Sequence, residues 1–149
     1  MLTLKRTNSK DQDFVDLVRQ LDAYLAVVDG EDHAFYAQYN GIAKLNHTMV
    51  AYLDGQAVGC GAVKAFDDKA MEVKRMYVDP QARGQGVASQ ILGGLEVWAK
   101  ELGYEKCVLE TGQRQVEAVQ LYQKRGYQRT PNYGQYIGVE NSLCFVKSL

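Results

Sequence analysis

The sequence has few of the residues that characterise secreted, metal-binding or membrane-spanning proteins. Its 149 residues include two prolines, two histidines and three cysteines, and Cys60, Cys107 and Cys144 lie far apart in apolar runs. This spacing fits neither a disulfide framework nor a metal site, and no run reaches the roughly 18 apolar residues that span a bilayer. Residues 1–6 also lack the apolar core of a signal peptide. We therefore expect a cytoplasmic protein with reduced thiols, no bound metal and no membrane partner.

Charge and length narrow the possibilities further. The net charge is −1, so the composition gives no general attraction to nucleic acid, and we expect no nucleic-acid partner. Hydrophobic residues make up 46% of the chain and charged residues 23%, which is typical of a globular protein. No linker or low-complexity segment interrupts the chain, so we predict a single domain over residues 1–149.

The apolar periodicity predicts an alternation of strands and helices. Helical spacing occurs at residues 14–28, 33–45, 87–102 and 115–125. Strand-like runs occur at residues 2–6, 48–53, 56–65, 71–78, 107–111 and 142–147, and Asp54-Gly55 is a typical hairpin turn. A helix between the strands 71–78 and 107–111 implies a βαβ crossover with parallel neighbours. The sequence therefore predicts a mixed α/β fold.

Two glycines stand where the strand 71–78 gives way to the following helix. Gly84 and Gly86 allow backbone amides to converge on an anion at the helix N-terminus, and Arg83 adds a charged donor suited to phosphate. A Walker P-loop is excluded because no Gly-Lys-Ser/Thr follows, and a Rossmann fingerprint is disfavoured because Ser89 occupies its third glycine position. A simple glycine-eased turn is the alternative to a pyrophosphate site.

Three motifs in order resemble the GNAT superfamily of N-acetyltransferases. They are Gln81-x-x-Gly84-x-Gly86, then Leu109-Glu110-Thr111-Gly112, then the run at 117–127, which is similar to the family's AxxLYxxxGF segment with tyrosine at the end. The resemblance implies a central, mostly antiparallel sheet with one βαβ crossover and helices on both faces. It also implies acetyl-CoA as co-substrate.

The resemblance further implies which residues contact that co-substrate. The loop amides hold the pyrophosphate in such proteins, and the pantetheine arm pairs like an extra strand where the fourth and fifth strands splay apart, usually at a bulge. An irregular alternation at residues 73–77 is compatible with such a bulge. Gln115 stands where the family often has asparagine. The implied contacts are Met76, Tyr77, Val78, Arg83, Gly84, Gln85, Gly86, Val87, Ala88 and Gln115.

The family's chemistry, carried onto this sequence, is direct attack of an amine on the thioester in a ternary complex. Glu72 is the first candidate for the general base, and Glu110 is its rival. Tyr122 matches a tyrosine that commonly lies near the cofactor sulfur and can protonate the departing thiolate. Backbone amides near Met76 would stabilise the oxyanion.

The acceptor is predicted from charge and aromatic residues near the N-terminus. Asp22, Asp29, Glu31 and Asp32 could form an acidic rim, and Tyr24, His33, Phe35, Tyr36 and Tyr39 an aromatic wall, both favouring a small cationic amine. A loop with Tyr127, Asn132, Tyr133, Gly134 and Tyr136 could close over it. A protein N-terminus or lysine as acceptor, or a non-catalytic acyl-CoA sensor, are the alternatives. A homodimer is possible on family resemblance.

Overall fold

The computed structural model describes residues 1–37 and 45–149, apart from the side chain of His33. Across these ranges the chain forms seven strands and four helices. Of the helix predicted at 33–45, the part up to Ala37 is helical, and residues 38–44 lie outside the described ranges. The elements are β1 Leu2–Thr7, α1 Gln12–Val28, α2 His33–Ala37, β2 His47–Leu53, β3 Gln56–Ala65, β4 Ala70–Val78, α3 Val87–Glu101, β5 Lys106–Gly112, α4 Val116–Lys124, β6 Gln128–Thr130 and β7 Ser142–Ser148.

The strands form one sheet in the order β1-β2-β3-β4-β5-β7-β6. The pair β4 and β5 is parallel, with α3 as the crossover between them, and the other neighbouring pairs are antiparallel. This arrangement confirms the predicted mixed fold with one βαβ crossover in a mostly antiparallel sheet.

Helices cover both faces of this sheet. Helix α1 starts at Asp11, whose side chain accepts a hydrogen bond from the Asp13 amide at 2.9 Å. Its buried side, which includes Phe14 and Leu21, packs against residues of β2, β3 and β4. Helix α3 buries Ile91 and Leu95 on the opposite face. Full burial of each such side chain contributes about 1.5–3 kcal/mol, so these two apolar stripes fix both helices on the sheet.

A bulge interrupts β4 in the middle of the sheet. Cys60 pairs with Tyr77 and Ala62 with Lys74, so Arg75 and Met76 both lie opposite Gly61. Arg75 has φ of 59°, which is unusual for a residue with a side chain. An added Cβ at Gly61 would lie 2.5 Å from the Met76 sulfur and 2.9 Å from Leu95 Cδ1. A larger residue at position 61 would have to displace these side chains. The irregularity expected at 73–77 is present.

Strands β4 and β5 separate just past the start of their pairing. Their register joins Ala70–Glu72 to Lys106–Val108, and beyond Glu72 the described part of β4 pairs with β3 alone. Backbone groups of β4 therefore face a wedge between the two strands. The splay that the family resemblance implied is confirmed.

Strand β6 is the element that the sequence pattern missed. Gln128–Thr130 pairs with β7, opposite Val146, Phe145 and Cys144. Three residues are too few to show alternation, and Pro131 follows at once. This strand forms one edge of the sheet.

Candidate active site

The glycine loop between β4 and α3 presents backbone amides at a helix N-terminus, the arrangement predicted for an anion. Gly84 and Gly86 have φ of 79° and 78°, in the left-handed region that favours glycine. Gly86 is the N-cap of α3 and makes no side-chain capping hydrogen bond, so the first amides of the helix stay available to a ligand. An added Cβ at either glycine would meet nothing within 4 Å. Backbone conformation, and not crowding, therefore requires glycine here.

A cleft of about 310 Å³ leads from this loop along the free edge of β4. Its floor is formed by the end of β4 and the start of α3, and α4 forms one wall. Nine of the ten predicted contacts line it, and Gln85 does not. Those nine are Met76, Tyr77, Val78, Arg83, Gly84, Gly86, Val87, Ala88 and Gln115.

Two residues of α1 line the same cleft and were not among the ten predicted contacts, although Tyr24 was predicted to contact the acceptor. Leu21 and Tyr24 face it from the side opposite α4. The Arg83 guanidinium lies 5.7 Å from the centre of the Tyr24 ring, and its Nε donates to the Val78 carbonyl at 3.2 Å. Arg83 thus bridges the phosphate loop and α1 through a cation–π contact. No local pattern in the sequence links these two residues.

A second, smaller cavity of about 90 Å³ adjoins the cleft. Leu21, Met76, Gln115 and Tyr122 line both spaces and so form their boundary. The smaller cavity lies where β4 and β5 diverge, and its polar lining includes the two candidate bases, Glu72 and Glu110. The structure therefore brings both candidate bases and Tyr122 together beside one end of the cleft.

Glu110 lies on β5 in a half-buried position. Its Oε2 atom is buried without a hydrogen-bond partner among the described residues. Burial raises the pKa of Glu110 to about 7, with a further increase from the charges of Asp29 and Glu72, against the opposing effects of Ser142 and Lys74. A carboxylate with such a pKa is protonated and deprotonated with ease near neutral pH, as a general base requires.

Glu72 differs because both of its oxygens have partners. The Tyr133 hydroxyl donates to Oε2 at 2.7 Å, and Lys74 Nζ lies 3.8 Å from Oε1. The Glu72 side chain is 11% exposed, so water does little to screen these contacts. Both oxygens of Glu72 are therefore engaged by neighbouring side chains, which leaves them less accessible to an incoming amine.

Tyr122 lies on α4 at the boundary of the two spaces and is 6% exposed. Its ring packs against Tyr127 and Phe145. Burial, and next the charge of Glu110, raise the pKa of its hydroxyl above the ordinary value of 10.0. The hydroxyl stays protonated across the working pH range and can donate a hydrogen bond.

The predicted acidic rim is partly neutralised by cations from distant parts of the chain. Asp22 forms an ion pair with Arg75, whose side chain is 2% exposed at the β4 bulge. Arg114 Nη2 lies 3.9 Å from Asp32, and Arg114 Nη1 donates to the Asp29 carbonyl at 2.7 Å. Asp29 itself is buried and lines the smaller cavity. Asp22 and Asp32 therefore add less net negative charge to the predicted rim than their sequence positions suggest, because Arg75 and Arg114 lie beside them.

The aromatic residues predicted to form a wall do not all lie together. The rings of Phe35 and Tyr36 pack edge to face, with their centres 5.2 Å apart. Tyr36 lines the smaller cavity and its hydroxyl lies 2.9 Å from Ser142 Oγ, whereas Tyr24 lies on the cofactor cleft. Tyr39 and the side chain of His33 lie outside the described part of the chain.

The tyrosine-rich loop contributes one residue to the lining of the smaller cavity, and Tyr127 does not belong to that lining. Tyr136 lines that cavity, and Tyr133 donates to Glu72. Asn132 Nδ2 lies within 3.1 Å of three carbonyl oxygens, those of Tyr136, Val139 and Ser142, and so fixes the loop. The Tyr127 hydroxyl instead donates to Glu96 at 3.0 Å, on the α3 face of the sheet. The prediction that Tyr127 belongs to this loop is wrong, because its hydroxyl is bound to Glu96 on α3.

The described residues also bear on metal binding and on membrane insertion. No group of three or more histidine, cysteine or acidic side chains is arranged to hold a metal ion there. In the same ranges no helix has the length and apolarity to cross a membrane. Cys60, Cys107 and Cys144 are free and buried, as expected from their apolar surroundings.

Comparison with known proteins agrees with this geometry. The family model described as the acetyltransferase (GNAT) family matches residues 14–127. The chain belongs to the GNAT family of acetyltransferases. The IAA acetyltransferase of Azospirillum brasilense is 33% identical to this GNAT chain over 99% of its length and 98% of that protein.

Solved structures show the same fold. A Klebsiella pneumoniae structure described as an acyl-CoA N-acyltransferase has a TM-score of 0.84 and 29% identity, covering 100% of this chain and 98% of that one. A GNAT acetyltransferase from Elizabethkingia anophelis with acetyl-CoA bound has a TM-score of 0.69 and 20% identity, covering 99% and 98%. At that identity the second likeness shows the GNAT fold alone.

Proposed function

We propose that this chain is an acetyl-CoA-dependent N-acetyltransferase that acetylates a primary amine, with residues 1–149 forming one catalytic domain. The observation that carries the proposal is the junction of two spaces. A cleft with a glycine-rich anion site ends, at Tyr122 and Met76, beside a small cavity with an unpartnered carboxylate oxygen on Glu110. This arrangement fits a thioester donor on one side and an amine on the other.

The residues present fit a CoA-type donor. The amides that start α3 and the Arg83 guanidinium are suited to its pyrophosphate. The free edge of β4 from Val73 onward offers backbone groups to its arm, in the manner of an added strand. Gln115 lies at the boundary of the two spaces, where its amide could contact either the donor or the acceptor. The acetyl-CoA bound to the Elizabethkingia anophelis protein supports the same choice of donor.

Glu110 is the base that the surroundings favour over Glu72. An incoming ammonium must lose a proton before its nitrogen can attack, and Glu110 has a free oxygen and a pKa of about 7. Glu72 is held by Tyr133 and Lys74, so we assign it the role of placing the loop and adding negative charge beside Glu110. The nitrogen then forms the new C–N bond, and the first of its protons remains on Glu110. As the C–S bond breaks, the nitrogen loses a second proton, which neutralises the departing thiolate, so the products are the acetamide and free CoA thiol.

Tyr122 would stabilise the leaving sulfur. A thiolate near pKa 8.5 is a weaker base than the phenolate of a tyrosine whose pKa is raised, so complete proton transfer from Tyr122 is unfavourable. We therefore assign Tyr122 a hydrogen bond to the sulfur as the C–S bond breaks. Backbone amides at the bulge near Met76 would stabilise the oxyanion on the carbonyl.

The charge of the smaller cavity supports a small cationic acceptor. Three carboxylates, Asp29, Glu72 and Glu110, line it with two cations, Lys74 and Arg75. Arg75 is paired with Asp22 and Lys74 lies near Glu72, so the remaining charge favours an ammonium group. The volume of about 90 Å³ admits an amine and a short stem.

The test combines binding with turnover. We expect acetyl-CoA and CoA, but not NAD, to raise the melting temperature, and a panel of small cationic amines to give thiol release from acetyl-CoA. Binding without turnover on any amine, N-terminal peptides and lysine peptides included, would point to a sensor. Failure of acetyl-CoA to bind would refute the proposal.

A further inference from the structure

The boundary between the two spaces bears on the length of the acyl group, an inference that rests on the proposed function. Leu21, Met76, Gln115 and Tyr122 line both the cleft and the smaller cavity. A donor whose arm follows β4 places its thioester at this boundary. The acyl group beyond the sulfur must then enter the smaller cavity, which also receives the amine.

Space in that cavity is limited, and an apolar wall forms part of its lining. The cavity measures about 90 Å³, against about 310 Å³ for the cleft. Most of its lining is charged or hydroxylated, and its apolar side chains are Leu21, Leu25, Val73 and Met76. The methyl group of an acetyl donor is best desolvated against this wall, because the remaining lining is suited to the ammonium group.

Two members of this wall, Val73 and Leu25, line the smaller cavity and not the cleft. Val73 belongs to β4, along which the arm of the donor would pair, so Leu25 is the member that can be changed without altering that strand. It lies near the end of α1, is 8% exposed, and does not line the cofactor cleft. Leu21 and Met76 face both spaces, so changes there would also disturb the donor. Leu25 therefore bounds the acyl group without contributing to the arm of the cofactor.

We infer that Leu25 restricts the acyl donor to acetyl-CoA by closing the apolar side of the acceptor cavity. A longer acyl chain either meets the Leu25 side chain or takes the space of the amine. Discrimination by one methylene in a close-fitting pocket is roughly 10- to 200-fold, so the wild type should favour acetyl-CoA over propionyl-CoA by at least about tenfold in kcat/KM.

The experiment compares acetyl-, propionyl- and butyryl-CoA in wild type, Leu25→Ala and the milder Leu25→Val, with the same amine. We expect Leu25→Ala to lower the acetyl-to-propionyl ratio at least about tenfold, and Leu25→Val to lower it by less. Leu17→Ala is the matched control, since Leu17 is buried at 2% on the same helix and lines neither space. Thermal unfolding verifies that each variant is folded.

Calorimetric binding of the three acyl-CoAs separates this inference from the proposed function. If no amine is acetylated but wild type binds acetyl-CoA more tightly than propionyl-CoA, and Leu25→Ala removes the difference, the inference stands and the proposed reaction fails. If acetyl transfer proceeds and the ratio is the same in wild type and both Leu25 variants, the inference is refuted and the reaction stands. Binding of none of the three would overturn both.

Discussion

Replacing Glu110 with glutamine tests the assignment of the base, because it keeps the shape of the side chain and removes its ability to take a proton. A positioned general base contributes roughly 10²- to 10⁴-fold to the rate. We expect Glu110→Gln to lower kcat by that factor while leaving the dissociation constant of acetyl-CoA within about twofold, because Glu110 lines the smaller cavity and not the cofactor cleft.

The pH dependence gives a sharper test than the rate at one pH. With a pKa of about 7, Glu110 is about one-tenth deprotonated at pH 6, so wild-type kcat should rise about tenfold from pH 6 to its plateau. Glu110→Gln should lose this ascending limb. Glu72→Gln should retain the limb but move it to lower pH, because the charge of Glu72 contributes to raising the pKa of Glu110, after burial and Asp29.

The free energy of unfolding should fall over the pH range in which kcat rises. A carboxyl group whose pKa is raised by folding contributes stability below its unfolded value of 4.5 and loses it as the pH rises through about 7. The difference between those values corresponds to at most about 3 kcal/mol, and partial solvent access to Glu110 reduces it. Glu110→Gln should therefore match wild type near pH 4.5 and exceed its free energy of unfolding above pH 7.

Steady-state kinetics from pH 5.5 to about 9 and urea unfolding at both ends of the range measure these effects. Glu105→Gln serves as control, since Glu105 is exposed just before the opposite end of β5 and should behave as wild type. An unchanged ascending limb in Glu110→Gln would refute the assignment. Its loss in Glu72→Gln instead would make Glu72 the base.

Two further changes test the donor side. Gly84→Pro should abolish stabilisation by acetyl-CoA in thermal unfolding, because proline fixes φ near −65° where Gly84 has 79° and removes a loop amide. Gly103→Ala, at a glycine with φ of 94° that does not line the cleft, controls for general backbone strain. Retained binding in Gly84→Pro would contradict the anion site. Tyr122→Phe should lower kcat roughly 10- to 100-fold with little effect on the dissociation constant of acetyl-CoA, because it removes one hydrogen bond to a charged leaving group; equal turnover would remove Tyr122 from the mechanism.

The phosphate loop and the order of the main elements could be predicted because their signals are local. Gly84 and Gly86 directly follow a strand and precede a helix, and the apolar stripe of α3 is regular. The edge strand Gln128–Thr130 could not be predicted, since its conformation depends on pairing with β7. Length and local alternation carry too little information in three residues.

The charges of the site were less predictable than its backbone. Asp22 is paired with Arg75, 53 positions away, and nothing near either residue in the sequence indicates the other. The sequence also favoured Glu72 over Glu110 as the base, because it does not show the hydrogen-bond partners of either carboxylate. Tyr133 donates to Glu72 from 61 positions away, whereas Glu110 Oε2 has no hydrogen-bond partner among the described residues. Such differences in hydrogen-bond partners arise only when distant segments meet.

The short pairing between β4 and β5 has a mechanical consequence for the whole molecule. The sheet consists of a four-stranded half, β1 to β4, and a three-stranded half, β5 to β7, joined by a ladder of three residue pairs at one end. Such a junction can act as a hinge, about which the unpaired edges of β4 and β5 move relative to each other. A ligand inserted between these two edges would contact both halves of the sheet and link them. A ligand in the cleft would then slow hydrogen exchange in β4 and β5 together, because the two halves of the sheet would no longer move independently.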